Sequence, residues 1–300
     1  MRESIIRWLA ATAIVAGAWC MSVAEGRAQE PAADETQPSV SQSQLLGPPR
    51  KLAPGVLTVI KPELEYDETH DTHPIVELTT LDPSFTFAQN ADFRRDIWGL
   101  EFAFKPVRMI YVDLPQPSGL MQRKLIWYMV YRVTNNMKVL HPVPQPDGGY
   151  TIEEIEKPIR FVPHFVLESD EVNKRYPDRI IPLAAMAIQQ REDPNIRFYN
   201  TAEMARVIQP GETLWGVVTW EDVDPTIDRF SIYVSGLTNA YRWTDPPGAY
   251  KVGDPIGQGR QFTRKELKLN FWRPGDDLYE HEEEIRFGRP DQVDYEWIYR

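Results

Sequence analysis

The sequence predicts a mainly β protein whose core is a β-sandwich, and three observations carry that prediction. From Val56 onward the dominant apolar period is two, as expected for strands with one buried face. Proline (26), tryptophan (9) and tyrosine (13) are abundant among the 300 residues, a profile that suits a turn-rich, aromatic β protein rather than a helical bundle. Finally, six long strand-like runs are joined by irregular links, the pattern of two packed sheets. One or two short helices and a β-rich C-terminal extension complete the expected fold.

Taken in order, Trp98, Leu100, Phe102 and Phe104 alternate with Gly99, Glu101, Ala103 and Lys105. This predicts a strand with one apolar side and one mostly small or charged side. Pro106 interrupts it, and Val107, Met109 and Tyr111 extend the run to a turn at Leu114–Gly119. The segment Lys124–Asn135 is apolar on both parities, so a central strand covered on both sides is expected. Further strands are expected at Phe161–Leu167, Leu214–Trp220, Phe230–Val234 and around Leu267, Leu269 and Phe271. A helix is predicted over Pro182–Gln190, where proline suits the first turn and alanine, leucine, methionine and glutamine follow. Thr201–Val207 reads either as a short helix capped by Thr201 or as the lead into a strand.

Ahead of this domain, residues 1–28 have the order of a secretory signal: Arg2 and Arg7, the apolar run Trp8–Val23, then small residues before Gln29. Cleavage after Ala28 or Ala24 is the first reading. An uncleaved anchor helix is the alternative, since the apolar run approaches the length that spans a bilayer. The single cysteine, Cys20, lies inside this segment, so a processed chain has no thiol for a disulfide, thiol catalysis or cysteine-ligated metal. Residues 29–55 are rich in proline, alanine, serine and glutamine and read as a disordered linker. The domain then spans 56–300. Net charge is −11, which argues against nucleic acid or anionic lipid as the partner.

Three pieces resemble a known arrangement: a strand ending Tyr131-Arg-Val-Thr-Asn135, the segment Phe165-Val-Leu-Glu-Ser-Asp170, and Gln209-Pro-Gly-Glu-Thr213 opening the run Trp215–Trp220. Over residues 98–236 the chain is similar to the immunoglobulin-like modules of bacterial secreted proteins, which implies an immunoglobulin-like sandwich. With Trp220-Glu-Asp-Val-Asp-Pro225 and Gly236-Leu-Thr-Asn239, the whole chain also resembles uncharacterised exported proteins of planctomycete-type bacteria. Neither resemblance carries a functional residue over. The tail after Tyr241 and the insertion 176–200 depart from such modules.

The densest set of ligand-type side chains is Asp67, Glu68, His70, Asp71 and His73. His70, Asp71 and His73 are therefore the metal candidates, although their spacing completes no catalytic zinc motif and a solvated acidic loop is the favoured reading. Glu221, Asp222, Asp224 and Asp228 resemble an oxygen-ligand loop without its turn glycine or terminal glutamate, and read as turn-making carboxylates. Asp276 to Glu284 around His281 reads as a solvated charge run. His164 is expected as a hydrogen-bonded structural residue, and His141 as an exposed loop residue. Ser235-Gly236 lacks the nucleophile-elbow pattern. Tyr241, Trp243, Trp272, Trp297 and Tyr299, near turns or the C-terminal end, are the aromatic binding candidates, because flat rings stack on sugars or on partner proteins.

The expectation is thus an exported structural or binding module in the periplasm or outside the cell, without a cofactor. Its partner is a protein or carbohydrate of the cell envelope, and the membrane enters only through an uncleaved N-terminal segment. The rival is a secreted hydrolase that attacks polysaccharide with a pair of carboxylates.

Overall fold

A computed structural model describes residues 57–64, 96–147, 150–244, 246–248, 259, 261–273, 285–290 and 292–300. The signal-like segment, the linker, the set from Asp67 to His73 and the charge run from Asp276 to Glu284 lie outside the described residues. The described chain is mainly β, with antiparallel sheets and two short helices.

The first sheet is organised around one long strand, β4 (Met121–Thr134). On one edge β4 carries two partners in succession, β2 (Glu101–Phe104) and β3 (Arg108–Pro115). Pro106 separates them as the sequence predicts, since a proline donates no hydrogen bond to a ladder. On the other edge lies β11 (Thr213–Trp220), in a register that sets Trp220 opposite Trp127 and Gly216 opposite Tyr131. A side chain at Gly216 would occupy the space of the Tyr131 ring, which explains a glycine amid bulky β-formers. A short β1 (Thr58–Ile60) extends the β2 side.

Two further two-stranded sheets are present. One joins β5 (Val139–Pro144) to β6 (Tyr150–Ile155). The other pairs β7 (Ile159–Arg160) with β10 (Val207–Ile208).

The second sheet runs from β9 (Lys174–Pro177) through β8 (His164–Ser169) and β12 (Arg229–Ser235) to β14 (Gln261–Trp272). Also paired with β14 are β13 (Tyr241–Thr244), β15 (Arg286–Phe287) and β16 (Tyr295–Tyr299). The C-terminal strands are therefore integral to the second sheet rather than an appendage to a finished domain.

The two sheets face each other across a single apolar cluster. Trp127, Met129, Tyr131 and Val133 of β4 meet Phe165 and Leu167 of β8, Phe230 and Ile232 of β12, and Leu269 and Phe271 of β14. Trp127 and Phe230 make an edge-to-face pair at 5.3 Å, and Tyr131 and Phe165 lie 4.9 Å apart, both inside the favourable range for aromatic pairs.

The opposite parity of β4 packs elsewhere. Ile126, Tyr128 and Val130 form a second cluster with Ile110 and Val112 of β3 and with Ala184 and Ile188 of α1 (Pro182–Glu192). The central strand is thus covered on both sides, as its sequence predicts. The predicted helix extends two residues further, to Glu192. The capping of α2 (Thr201–Met204) corrects the expectation: Asn200, not Thr201, is the cap, in a reciprocal capping box with Glu203.

β2 also differs from the expected one-sided strand, since all four of its residues are buried. Glu101 tolerates this because Lys61, Arg132 and Asn136 surround its carboxylate. Burial pushes the Glu101 pKa up, but these partners outweigh it and hold the carboxyl below its ordinary range.

Candidate functional site

A cleft of about 710 Å³ opens at one end of the second sheet. Its floor is the turn Gly236–Ala240. Gly236 has φ +88°, and a Cβ there would collide with the Val162 carbonyl oxygen, so only glycine suits this crossing. Leu237 is buried in the core and its carbonyl accepts from Leu100 N–H at 2.8 Å. The Thr238 hydroxyl donates to the Trp98 carbonyl at 2.8 Å, while the Asn239 amide accepts from Trp98 N–H and donates to the Asp96 carbonyl. The segment Gly236-Leu-Thr-Asn239 is therefore the stitch that fixes residues 96–100 to the second sheet and positions Trp98 at the cleft.

The walls follow from strand register. His164, at the start of β8, lies opposite Ser235 at the end of β12. Phe165 and Leu167 take the buried side of β8, so His164 faces outward. This corrects the expected structural role: His164 is exposed and its side chain has no hydrogen-bond or ion-pair partner among the described residues. The Ser235 hydroxyl donates to Glu266 of β14 at 2.9 Å, and Arg300 approaches the same carboxylate at 3.7 Å. Opposite Tyr241 in β13 stands Arg264, and the Tyr241 and Phe262 rings lie 5.8 Å apart. Phe262 and Val162 are 56% and 54% exposed, so the cleft presents apolar surface to solvent. Arg160, from β7, and Lys265 complete the lining. A second depression, around Pro163, Asp178, Arg179, Thr201 and Glu221, carries no aromatic side chain.

Among the aromatic candidates, Tyr241 lies in this cleft. Trp297 packs against the core with Lys265 above its ring, and Arg286 stands over the half-buried Trp272. Arg242 covers the Tyr299 ring at 3.9 Å. Trp243 is in β13 opposite Phe262. Sequence reasoning missed Trp98, Phe262, Arg160 and Arg264. The alternation places Trp98 on a core-facing parity, and it does pack against the core while also lining the cleft; the other three carry no motif.

The remaining candidates are engaged within the protein. Asp224 accepts from both the backbone and the hydroxyl of Thr226, while Glu221 and Asp222 share Lys124. His141 belongs to β5 rather than a loop, and its Nδ1 lies 2.6 Å from an Asp96 carboxylate oxygen. Lys157 bonds the other Asp96 oxygen. Burial raises the Asp96 pKa, but these two partners outweigh it and the net direction is down. Among the described residues, no three histidines, aspartates or glutamates are grouped as metal ligands, and no helix is long and apolar enough to cross a membrane. No protein-family model, curated protein or solved structure matches the chain.

The row His164, Ser235, Glu266 contains the residue types of a hydrolytic triad in the wrong order. A serine nucleophile needs the imidazole between itself and the acid, whereas here Ser235 donates directly to Glu266. The arrangement suits hydrogen bonding to a ligand better than attack on one.

Proposed function

We propose that this chain is an exported binding module of the cell envelope, built as an immunoglobulin-like β-sandwich, and that the cleft beside Tyr241 binds carbohydrate. The observation that carries the reading is the cleft lining: Tyr241, Phe262 and Trp98 beside His164, Arg160 and Arg264. Aromatic faces stack on the apolar faces of sugar rings, and the neighbouring polar groups satisfy hydroxyls, the usual composition of a small-ligand site.

Two pieces of the immunoglobulin-like resemblance also touch. Asn135 N–H donates to the Glu212 carbonyl and Gly211 N–H to the Asn135 carbonyl, which favours their reading as one structural unit. The rival hydrolase needs two carboxylates roughly 5–9.5 Å apart, and Glu266 is the one carboxylate among the described residues that line the cleft.

The test is a glycan array probed with the mature chain and with a Tyr241→Ala/Phe262→Ala variant of unchanged melting temperature. Wild type is expected to bind at least one polysaccharide and the variant to lose it. Absence of binding, or equal binding by the variant, overturns the reading. Export is checked by mass spectrometry of the native protein, expected to begin near Glu25 or Gln29; an intact Met1 in the cytoplasmic fraction overturns it.

A further inference from the structure

We infer that the cleft selects anionic sugars, whose carboxylate or sulfate groups are gripped by Arg160 and Arg264; the inference rests on the carbohydrate-binding reading above. The protein is acidic, 44 carboxylates against 33 lysines and arginines, so an arginine on its surface is surrounded by potential partners. Five other described arginines take them. Arg108 holds Glu192, Arg132 holds Glu101, Arg175 and Arg300 hold Glu168, and Arg197 holds Glu203. Arg160 and Arg264 both line the cleft, both are exposed, and neither side chain has a partner among the described residues. His164, on the same wall, is likewise without one.

The single carboxylate of the lining does not cancel this charge, because Glu266 is already engaged by Ser235 and approached by Arg300. Two forked guanidinium groups are thus left facing a space walled by Tyr241, Phe262 and Trp98. Guanidinium matches the planar carboxylate and the sulfate in bidentate geometry. The rings account for the sugar body and the arginines for its charge. A densely charged polyphosphate is a poor alternative, since the net charge of −11 opposes its approach. A glycan whose charges are spaced apart by sugar rings, read at close range within about one Debye length of roughly 8 Å at physiological salt, is the better fit.

The experiment titrates the mature protein with three oligosaccharides of equal length: an oligogalacturonate, a sulfated chondroitin oligomer and a neutral oligogalactose. Wild type is expected to bind one of the charged oligomers at least tenfold more tightly than the neutral one. Whichever is preferred identifies carboxylate or sulfate as the charge. Arg160→Gln and Arg264→Gln are each expected to weaken that binding about tenfold, or about 1.4 kcal/mol. The distant Arg123→Gln should leave it unchanged, and raising the salt should narrow the gap to the neutral sugar. Equal binding of charged and neutral oligomers, or charged binding indifferent to both arginine variants, overturns the inference while leaving a sugar-binding cleft intact. No binding of any of the three, with neutral glycans captured on the array through Tyr241 and Phe262, overturns it as well. Failure on the array too brings down the underlying reading.

Discussion

The long strands at the hearts of the two sheets, β4 and β14, are of similar length but differ in what covers them. β4 is buried on both faces, by the second sheet on one side and by α1 on the other. Among the described residues, β14 buries Leu267, Leu269 and Phe271 on one face and Asn270 on the other. That second face also carries the half-buried Glu266 and Lys268 and, toward the start of the strand, the exposed Arg264 and Phe262. β4 is packed against apolar clusters on both faces, whereas the outer face of β14 is polar along much of its length. The proposed binding cleft lies on the second sheet, beside the exposed start of β14.

The difference also appears in how charge is handled. α1 buries Ala184, Ile188 and Glu192, one turn apart in succession. Glu192 is fully buried on the outer face of the first sheet, where it meets Lys105 at 3.0 Å, Arg108 at 3.1 Å and the Tyr128 hydroxyl at 2.8 Å. Burial pushes the Glu192 pKa up, but the two cations and the tyrosine outweigh it and hold the group ionised below its ordinary range. Burial, with Glu192 alongside, pushes the Tyr128 hydroxyl well up. On the outer face of the second sheet, the Lys268–Glu296 pair at 2.6 Å is partly exposed and contributes little.

The sharpest way to break this contrast is Trp127→Ala, expected to cost about 3–5 kcal/mol in denaturant unfolding, the usual toll for an aromatic lost from a packed core. A loss below about 1 kcal/mol would show that β4 is not the doubly covered strand. Next, Glu192→Ala strands Lys105 and Arg108 beneath α1 and should cost about 3 kcal/mol. Its pH dependence sharpens the point. Because the folded pKa lies below the ordinary 4.5, the stabilisation is complete above that value and is lost as pH falls through the folded pKa. The gap between wild type and Glu192→Gln should therefore narrow on acidification below about pH 4.5; a gap constant from pH 7 to pH 3 would remove the charge from the explanation.

A smaller effect, about 2 kcal/mol, is expected for Gly236→Ala, since alanine at φ +88° is strained and meets the Val162 carbonyl. The same variant should perturb Trp98 fluorescence, because the turn positions that residue. Smallest of all, Lys268→Ala on the outer face of β14 should change stability by under about 0.5 kcal/mol. A cost above about 1 kcal/mol would mean that the Lys268–Glu296 pair stabilises more than a surface ion pair does.

The sequence made β4 legible because both of its parities are apolar, and α1 because Pro182 and the alanines mark it. What α1 covers was not legible: its buried stripe is an alanine, an isoleucine and a glutamate, which no apolar-periodicity argument would choose. Nor was the cleft. Trp98, Arg160, His164, Ser235, Tyr241 and Arg264 come from separate stretches, and only strand register, such as His164 against Ser235, brings them together. Tyr241 was within reach because an aromatic beside a turn is a recognisable signal. An arginine without a partner is not, since pairing is a property of the folded surface.

The position of β14 also has a kinetic meaning. This strand pairs with β12, formed some thirty residues earlier, and with β16, Tyr295–Tyr299, while the stitch at Gly236–Asn239 closes against residues about 140 positions upstream. Contacts so distant along the chain are assembled late and at high entropic cost, which places such topologies among slow folders, on the order of milliseconds to seconds. A nascent chain that has reached only residue 260 holds β4 and α1 but lacks the partner that shields Phe230 and Ile232. The apolar face of its second sheet stays incomplete until Gln261–Trp272 is available to pair.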